Sequence, residues 1–442
     1  MVYILAPANF ASGGPELLHQ LGYKLNLLGF EANMYYMGFQ EGVDPVCPQY
    51  KKYHVPVSDR LIGDKQTVVI VPEMGISLVQ NLKDVPIKIG IWWLGVDNAH
   101  YTEQDIDLIK KNPEILHLTQ SMYAHNFLTE QLKIDPNRIF YLSDYINSEF
   151  LLSNTQHETN QRFDTVLFNP QKGANKTAQF VFNSNYKIRW QALRGLTPSQ
   201  MIETMKEAKV YIDFGNHPGK DRIPREAALC GCCVITNRKG SADNAVDVPI
   251  PDSCKFGDDT SNEVILNKIY DLLEHYEDRV KDYKNYIEMI QQEYDRFERD
   301  TLTFFGSILP NGIPDLGSAQ KYSDHILEHI GREDYITAYR SLVKYKTKGY
   351  EINSDINFYE TVIRMGLQEY PEAKLCALRG LRQQPDDYEL HLYLAEINLA
   401  LNELDQIESC CNNAVKYSTG TPDEALIRSR CEDLFRKCQE EN

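Results

Sequence analysis

VYILAPANFASGGPELLHQLGYKLNLLGFEANMYYM, residues 2–37, decides the fold. The apolar run VYILAP predicts a short buried strand, and ASGG a turn after it. Leu17, Leu18, Leu21, Leu25 and Leu28 then recur at helical spacing and give the next segment one apolar stripe. Gly29 closes that helix, and FEANMYYM predicts a second strand. The same alternation continues through TVVIVPE (67–73), KIGIWWLG (88–95) and EILHLTQS (114–121), then the helix MYAHNFLTEQLKI and the strand NRIFYLSDYIN. Strands alternating with helices predict a parallel sheet with helices on both faces.

A polar stretch, LSNTQHETNQR (152–162), reads as a linker, after which the alternation restarts. FDTVLFNP, KIRWQALRG, KVYIDFG and CCVITN predict strands, with the helices TPSQMIETMKEA and PREAALCG between them. Thr197 and Pro198 supply an N-cap and a first helical residue. A long charged helical stretch, 261–304, ends this second series. FGSILPNGIPDLGSAQ (305–320) reads as a further linker. From 321 on the pattern is helical only. Ala373, Ala377 and Ala414, with Pro385 and Pro422 between helices, resemble a degenerate tetratricopeptide-like array, although the prolines lie somewhat further apart than the usual ~34 residues; a plain helical bundle fits as well. The expected fold class is α/β, with two Rossmann-like doubly wound domains at 1–150 and 163–304 and an all-helical domain at 321–442.

The 442 residues allow two or three domains with cores of their own. Lys and Arg number 46 against 63 Asp and Glu, a net charge of −17, which argues against general nucleic-acid binding. No apolar run approaches the ~20 residues of a membrane span, and the first residues read as a strand, so the expected compartment is the cytoplasm. The ten cysteines have no metal-binding pattern beyond the isolated Cys230/Cys233 pair and read as reduced core residues.

In doubly wound folds ligands bind beyond the carboxyl ends of the strands. Four segments place chemistry there. Ser12, Gly13 and Gly14 let a ligand approach the backbone at a helix N-terminus, or simply make a tight turn. WWLGVDNAHY (92–101) offers Asp97 or His100 as a general base, and Glu73 follows a neighbouring strand in the equivalent place. The alternative is a core tryptophan pair and a helix-capping Asp. FNPQKGANKT (168–177) carries Asn169, Lys172 and Lys176, suited to neutralising a diphosphate. YIDFGNHPGKDRIPREAALCGCCVITN (211–237) crowds Asp213, His217, Lys220, Asp221, Arg222, Arg225 and Glu226 between two apolar strands. The cations suit phosphate oxygens and Glu226 suits ribose hydroxyls. A carboxylate in a first helical turn is also favoured by the dipole alone.

These segments, in order, resemble the GT-B nucleotide-sugar glycosyltransferases that build bacterial surface polysaccharides. SGGPELLHQLGYKLNLLGFEANMY is similar to that family's glycine turn and helix. LTQSMYAHNFLTEQLKIDPNRIFYLSDYINSEF is similar to its last first-domain strand–helix–strand, with Ser121 at the usual serine. VLFNPQKG is similar to the loop that opens the donor domain. GLTPSQMIETMKEAKVYIDFG and PREAALCGCCVIT are similar to the nucleotide-sugar segment. The resemblance spans roughly residues 1–300 and stops short of the helical tail. It departs in two places: Glu226 matches the second of two family glutamates while Pro218 stands at the first, and Asn169 stands near a family arginine while Lys172 remains.

The resemblance implies transfer of a sugar from a nucleotide-sugar donor to an acceptor hydroxyl of a glycan or lipid-linked glycan, in capsule, O-antigen or related synthesis. It implies a donor site at Gly13, Gly14, Asn169, Lys172, His217, Lys220, Arg222, Arg225 and Glu226, a base among Asp97, Glu73 and His100, and no cofactor or metal. Work at the inner face of the membrane and a protein partner on the helical tail fit the same expectation. His217-Pro218 is also similar to a dipeptide of transferases using CMP-linked acidic sugars, a donor alternative. A non-catalytic scaffold of the same fold is the alternative from another class.

Overall fold

The computed structural model describes residues 1–38, 42–155, 161–184, 188–310 and 312–441. They form two compact units, Met1–Asn26 with Phe30–Pro310, and Leu27–Gly29 with Asn311–Asn442.

The first unit holds two parallel sheets. One contains β1 (Val2–Pro7), β2 (Ala32–Met37), β3 (Val68–Pro72), β4 (Lys88–Trp93), β5 (Ile115–Thr119) and β6 (Ile139–Tyr141), in the order β2-β1-β3-β4-β5-β6. The other contains β7 (Phe163–Phe168), β8 (Arg189–Ala192), β9 (Ala208–Asp213), β10 (Cys233–Asn237) and β11 (Lys255–Phe256), in the order β11-β10-β9-β7-β8. All pairings are parallel. Each sheet starts with a strand flanked by its second strand on one side and its third on the other. The strand order therefore reverses between β1 and β3 and again between β7 and β9, which are the places where doubly wound folds bind ligands.

Three helices build the site: α1 (Gly13–Leu27), α2 (Arg222–Leu229) and α3 (Glu293–Ile308). The leucine stripe is core as the spacing predicts, with Leu17, Leu18, Leu21, Leu25 and Leu28 between 0% and 3% exposed. Trp92 and Trp93 are wholly buried, so the tryptophan pair is core. The charged stretch 261–304 is several helices, Asn262–Glu274, Tyr276–Arg279, Lys284–Gln291 and α3. Its last member packs on the first domain: Phe297 meets Trp92 and Tyr145, Phe304 meets Phe140, and Phe305 meets Phe30.

Within the expected linker 152–162, residues up to Thr155 belong to the helix Ser148–Thr155, and 156–160 lie outside the described residues. Arg162 is fastened, its guanidinium donating to the carbonyls of Met205, Ala208 and Cys230. The start of KIRWQALRG, at Lys187, also lies outside the described residues, and β8 follows it. None of the ten cysteines forms a disulfide, and all but Cys47 and Cys438 are buried.

The second unit is helical. Its helices are Ala319–Gly331, Tyr335–Thr347, Ser354–Gly366, Tyr370–Gln383, Tyr388–Ala400, Ile407–Ser418 and Glu424–Glu441. Alternate members start at Ala319, Ser354, Tyr388 and Glu424, a repeat of 34–36 residues. The small residues Ala373, Ala377 and Ala414 are fully buried where neighbouring helices meet. Glu360 is a buried hub paired with Lys346, Arg364 and Arg379. Among the described residues no helix is long and apolar enough to cross a membrane.

Candidate functional site

Both switch points of the first unit open onto one cleft of 1160 Å³. The first domain lines it with the turn after β1 (Phe10, Ser12, Gly13, Gly14), with Glu73 after β3, and with Leu94 and Gly95 after β4. The second domain adds Asn169 and Lys172 after β7 and Asp213 with residues 218–224 after β9.

The glycine turn is held from behind. The Tyr50 hydroxyl accepts from the Ser12 amide at 2.9 Å and donates to the Ser12 carbonyl at 2.8 Å. The first amides of α1 have no partner within the helix and attract an anion. Arg222 stands opposite. Its Nη1 donates to Glu16 Oε2 at 2.6 Å, while Nε and Nη2 are buried with no hydrogen-bond partner. Gly13 faces Arg222: a Cβ there would lie in ordinary contact, 3.7 Å from Nε. Glu16 also accepts from the Tyr53 hydroxyl at 2.8 Å. Burial alone would raise its carboxyl, but Arg222 and Tyr53 bring it below the usual range. An unpaired buried guanidinium N–H is costly, and an anionic oxygen removes that cost.

Beside it, Lys172 Nζ contacts Asp221 Oδ2 at 2.7 Å and the Asn216 carbonyl at 3.2 Å. His217 is buried, with Nδ1 2.7 Å from Asp221 Oδ2 and Nε2 3.6 Å from Asp213 Oδ1. Asp213, His217 and Asp221 offer ligand atoms within 4.8 Å of one another, the spacing of a cation site. Lys172 and His217 hold Asp221, and Tyr211 and Gly215 donate to Asp213, while His217 Nε2 is buried without a hydrogen-bond partner. Pro218 accepts the Val96 amide at 3.0 Å, so both halves of the His217-Pro218 dipeptide have structural work. Asn169 lines the cleft and caps its own loop by accepting from the Gln171 amide at 3.0 Å.

Two of the cations read as phosphate ligands have another task. Arg225 is buried and makes a bidentate pair with Asp144 at 3.1 and 2.5 Å, plus a bond to Glu293 at 2.6 Å. Lys220 Nζ bonds Glu293 and Ser143, each at 3.0 Å. The cluster joins the end of the first sheet, the segment leading into α2, and α3. Burial alone would raise Asp144, but Arg225 and Lys220 hold it down to about 2. Arg225 does not line the cleft; Lys220 does, with its Nζ held by Glu293 and Ser143, beside the other lining cations Arg222 and Lys172. Glu226 is half-buried, and among the described residues its carboxyl has no hydrogen-bond partner and does not line the cleft; burial pushes it up to about 7 against the pull of Arg222 and Arg225.

Among the three candidate bases, Glu73 lines the cleft, is buried, and accepts from the Leu94 amide at 3.0 Å. Burial pushes it up to about 7, where a carboxyl both takes and gives a proton at neutral pH. Asp97 is exposed and bridges the domains, accepting from Tyr123 Oη at 2.8 Å and Asn216 Nδ2 at 3.1 Å. His100 is exposed and does not line the cleft. Sequence reasoning missed Glu16, Tyr50, Tyr53, Asp144 and Glu293. Each looks like an ordinary surface charge or a core aromatic until the fold brings its partner from a distant segment.

The domains meet along a seam beside the cleft. Asp247 accepts the Met122 and Tyr123 amides at 2.8 Å each, and Gln120 accepts the Lys220 amide at 3.3 Å. Gly219 lies against Leu94, and a methyl group there would overlap the Leu94 carbonyl.

Two parallel α/β domains facing across a cleft, with the strand order reversing at its mouth on both sides, define the GT-B fold, here followed by an all-helical unit. No protein-family model matches the chain, and no curated protein matches it in sequence. Solved structures match in fold. A glycosyltransferase from Rickettsia africae ESF-5 is 15% identical, with 70% of this chain and 99% of that one covered, at a TM-score of 0.51. Sucrose-phosphate synthase from Thermosynechococcus elongatus is 11% identical, with 70% and 98% covered and the same TM-score, 0.51.

Proposed function

We propose that the chain is a glycosyltransferase that moves a sugar from a nucleotide-sugar donor to an acceptor hydroxyl. One observation carries the reading: two unpartnered, buried guanidinium nitrogens of Arg222, Nε and Nη2, beside the glycine turn and the first amides of α1, at facing switch points. The donor diphosphate fits between them, with Lys172 at its edge. The likeness in fold to a glycosyltransferase and to a sucrose-phosphate synthase supports the same reaction class.

In the reaction the bond from the anomeric carbon to the phosphate oxygen breaks and a bond from the acceptor oxygen to that carbon forms. The acceptor proton passes to a carboxylate, for which Glu73 is best placed. The leaving diphosphate keeps the electron pair and is stabilised by Arg222 and the α1 amides, so this chain's own groups do the work of charge stabilisation.

A bacterial surface glycan as acceptor and action in the cytoplasm or at the inner membrane face complete the proposal. The 34–36-residue recurrence in the second unit supports a tetratricopeptide-like array that binds a protein partner. The test is thermal unfolding with UDP, GDP, dTDP, ADP and CMP. One of them at 100 times its dissociation constant stabilises by about 2.7 kcal/mol. No shift with any of the five would refute the reading.

A further inference from the structure

The two walls of the cleft differ in chemistry. The second domain's wall carries Asn169, Lys172, Asn216 and Arg222, with Ile223 and Pro224 as its apolar members. The first domain's wall is apolar where β1 and β3 end: Phe10, Met37, Met74 and Leu78 line it. Phe10 is 55% exposed and Met74 is 61% exposed, although both face a ligand-sized space. Large apolar side chains gathered in a cleft mark a surface that a ligand covers.

The space is sufficient for two ligands. At 1160 Å³ the cleft exceeds the roughly 300–1,000 Å³ of a pocket built for one small molecule. A donor held by Arg222 and Lys172 leaves the opposite wall to the second substrate. Glu73 and Met74 both line that wall, the carboxylate buried and the methionine exposed. Beside Glu73 and the paired Asp144, this wall offers a sugar the side chains of Ser12, Ser77, Asn98 and Gln120.

On the transfer reading above, we propose that the acceptor carries an aryl or alkyl group beside its reacting hydroxyl, and that Phe10 and Met74 bind this group. Burial of the apolar group supplies the affinity, and the few polar groups orient the hydroxyl. A carboxylate on the same wall disfavours an anionic group there.

The whole chain is titrated by calorimetry with phenyl β-glucoside, with octyl β-glucoside below its micellar concentration, and with glucose. The nucleotides are titrated separately into the same preparation. The two aglycone-bearing probes are expected to bind about tenfold tighter than glucose, as burial of one small apolar group gives. The Phe10→Ser/Met74→Ser double variant is expected to lose that preference while keeping its unfolding temperature, because both side chains are exposed. Equal affinity for all three probes, no binding of any, or a preference that survives the double substitution would overturn the inference. Failure of every nucleotide to bind would instead sink the transfer reading, leaving the apolar preference as a separate result.

Discussion

Glu73 and Arg222 show what single residues contribute and how unevenly a sequence reveals it. A glutamate after VVIVP and an arginine in a charged loop are both visible as candidates. Their states are not, because burial and partners decide them. The Glu73 carboxyl sits near pH 7 in the fold against 4.5 when exposed, so over that window the folded chain keeps a proton the unfolded chain has lost. The stability from this group is full below about pH 4.5 and is lost as pH rises through 7, roughly 3 kcal/mol in all. Glu226, raised to a similar value by burial, acts in the same direction. Urea unfolding at about pH 5 and about pH 8 should show Glu73→Gln losing less stability over this interval than the wild type. A wild-type curve that is flat, or that rises, would contradict the assignment. Arg225 teaches the opposite lesson. In the sequence it is one of several loop cations, and only the arrival of Asp144 and Glu293 from distant segments makes it a structural residue.

At the scale of elements, strongly periodic segments were legible. The leucine stripe of α1 and the apolar runs of β1, β3 and β4 are buried where periodicity puts them. Short elements were less so, because β6 has three residues and β11 two, too few for a pattern. The charged helix α3 hides its contacts with both domains for a physical reason. Its Glu293 and Glu298 look solvated in sequence, yet both are buried and paired, Glu293 with Lys220 and Arg225, Glu298 with Lys24. Such a cluster tolerates no missing partner. Asp144→Asn leaves two buried cations with Glu293 alone, so it should cost about 3–5 kcal/mol in urea unfolding. A loss below about 1 kcal/mol would mean that the cluster is weakly coupled or wet.

For the first unit as a whole, the repeated strand order is the feature with most consequence. Two copies of one topology bring two switch points face to face, and the cleft, the partly unpartnered Arg222 guanidinium and Glu73 follow from that placement. Sequence alternation announced both sheets, but not the seam between them, since a glycine such as Gly219 reads as any loop glycine. Gly219→Ala should force the walls apart and destabilise the unit by about 1–3 kcal/mol. An unchanged melting temperature would show that the seam yields freely. The most direct measurement is calorimetric titration of the nucleotide giving the largest thermal shift, into wild type and Arg222→Ala. The account predicts saturable binding to wild type and affinity about 10–100-fold weaker in the variant, the loss of charge-assisted hydrogen bonds to phosphate. Equal affinity in the two proteins would place the anion somewhere else and contradict it.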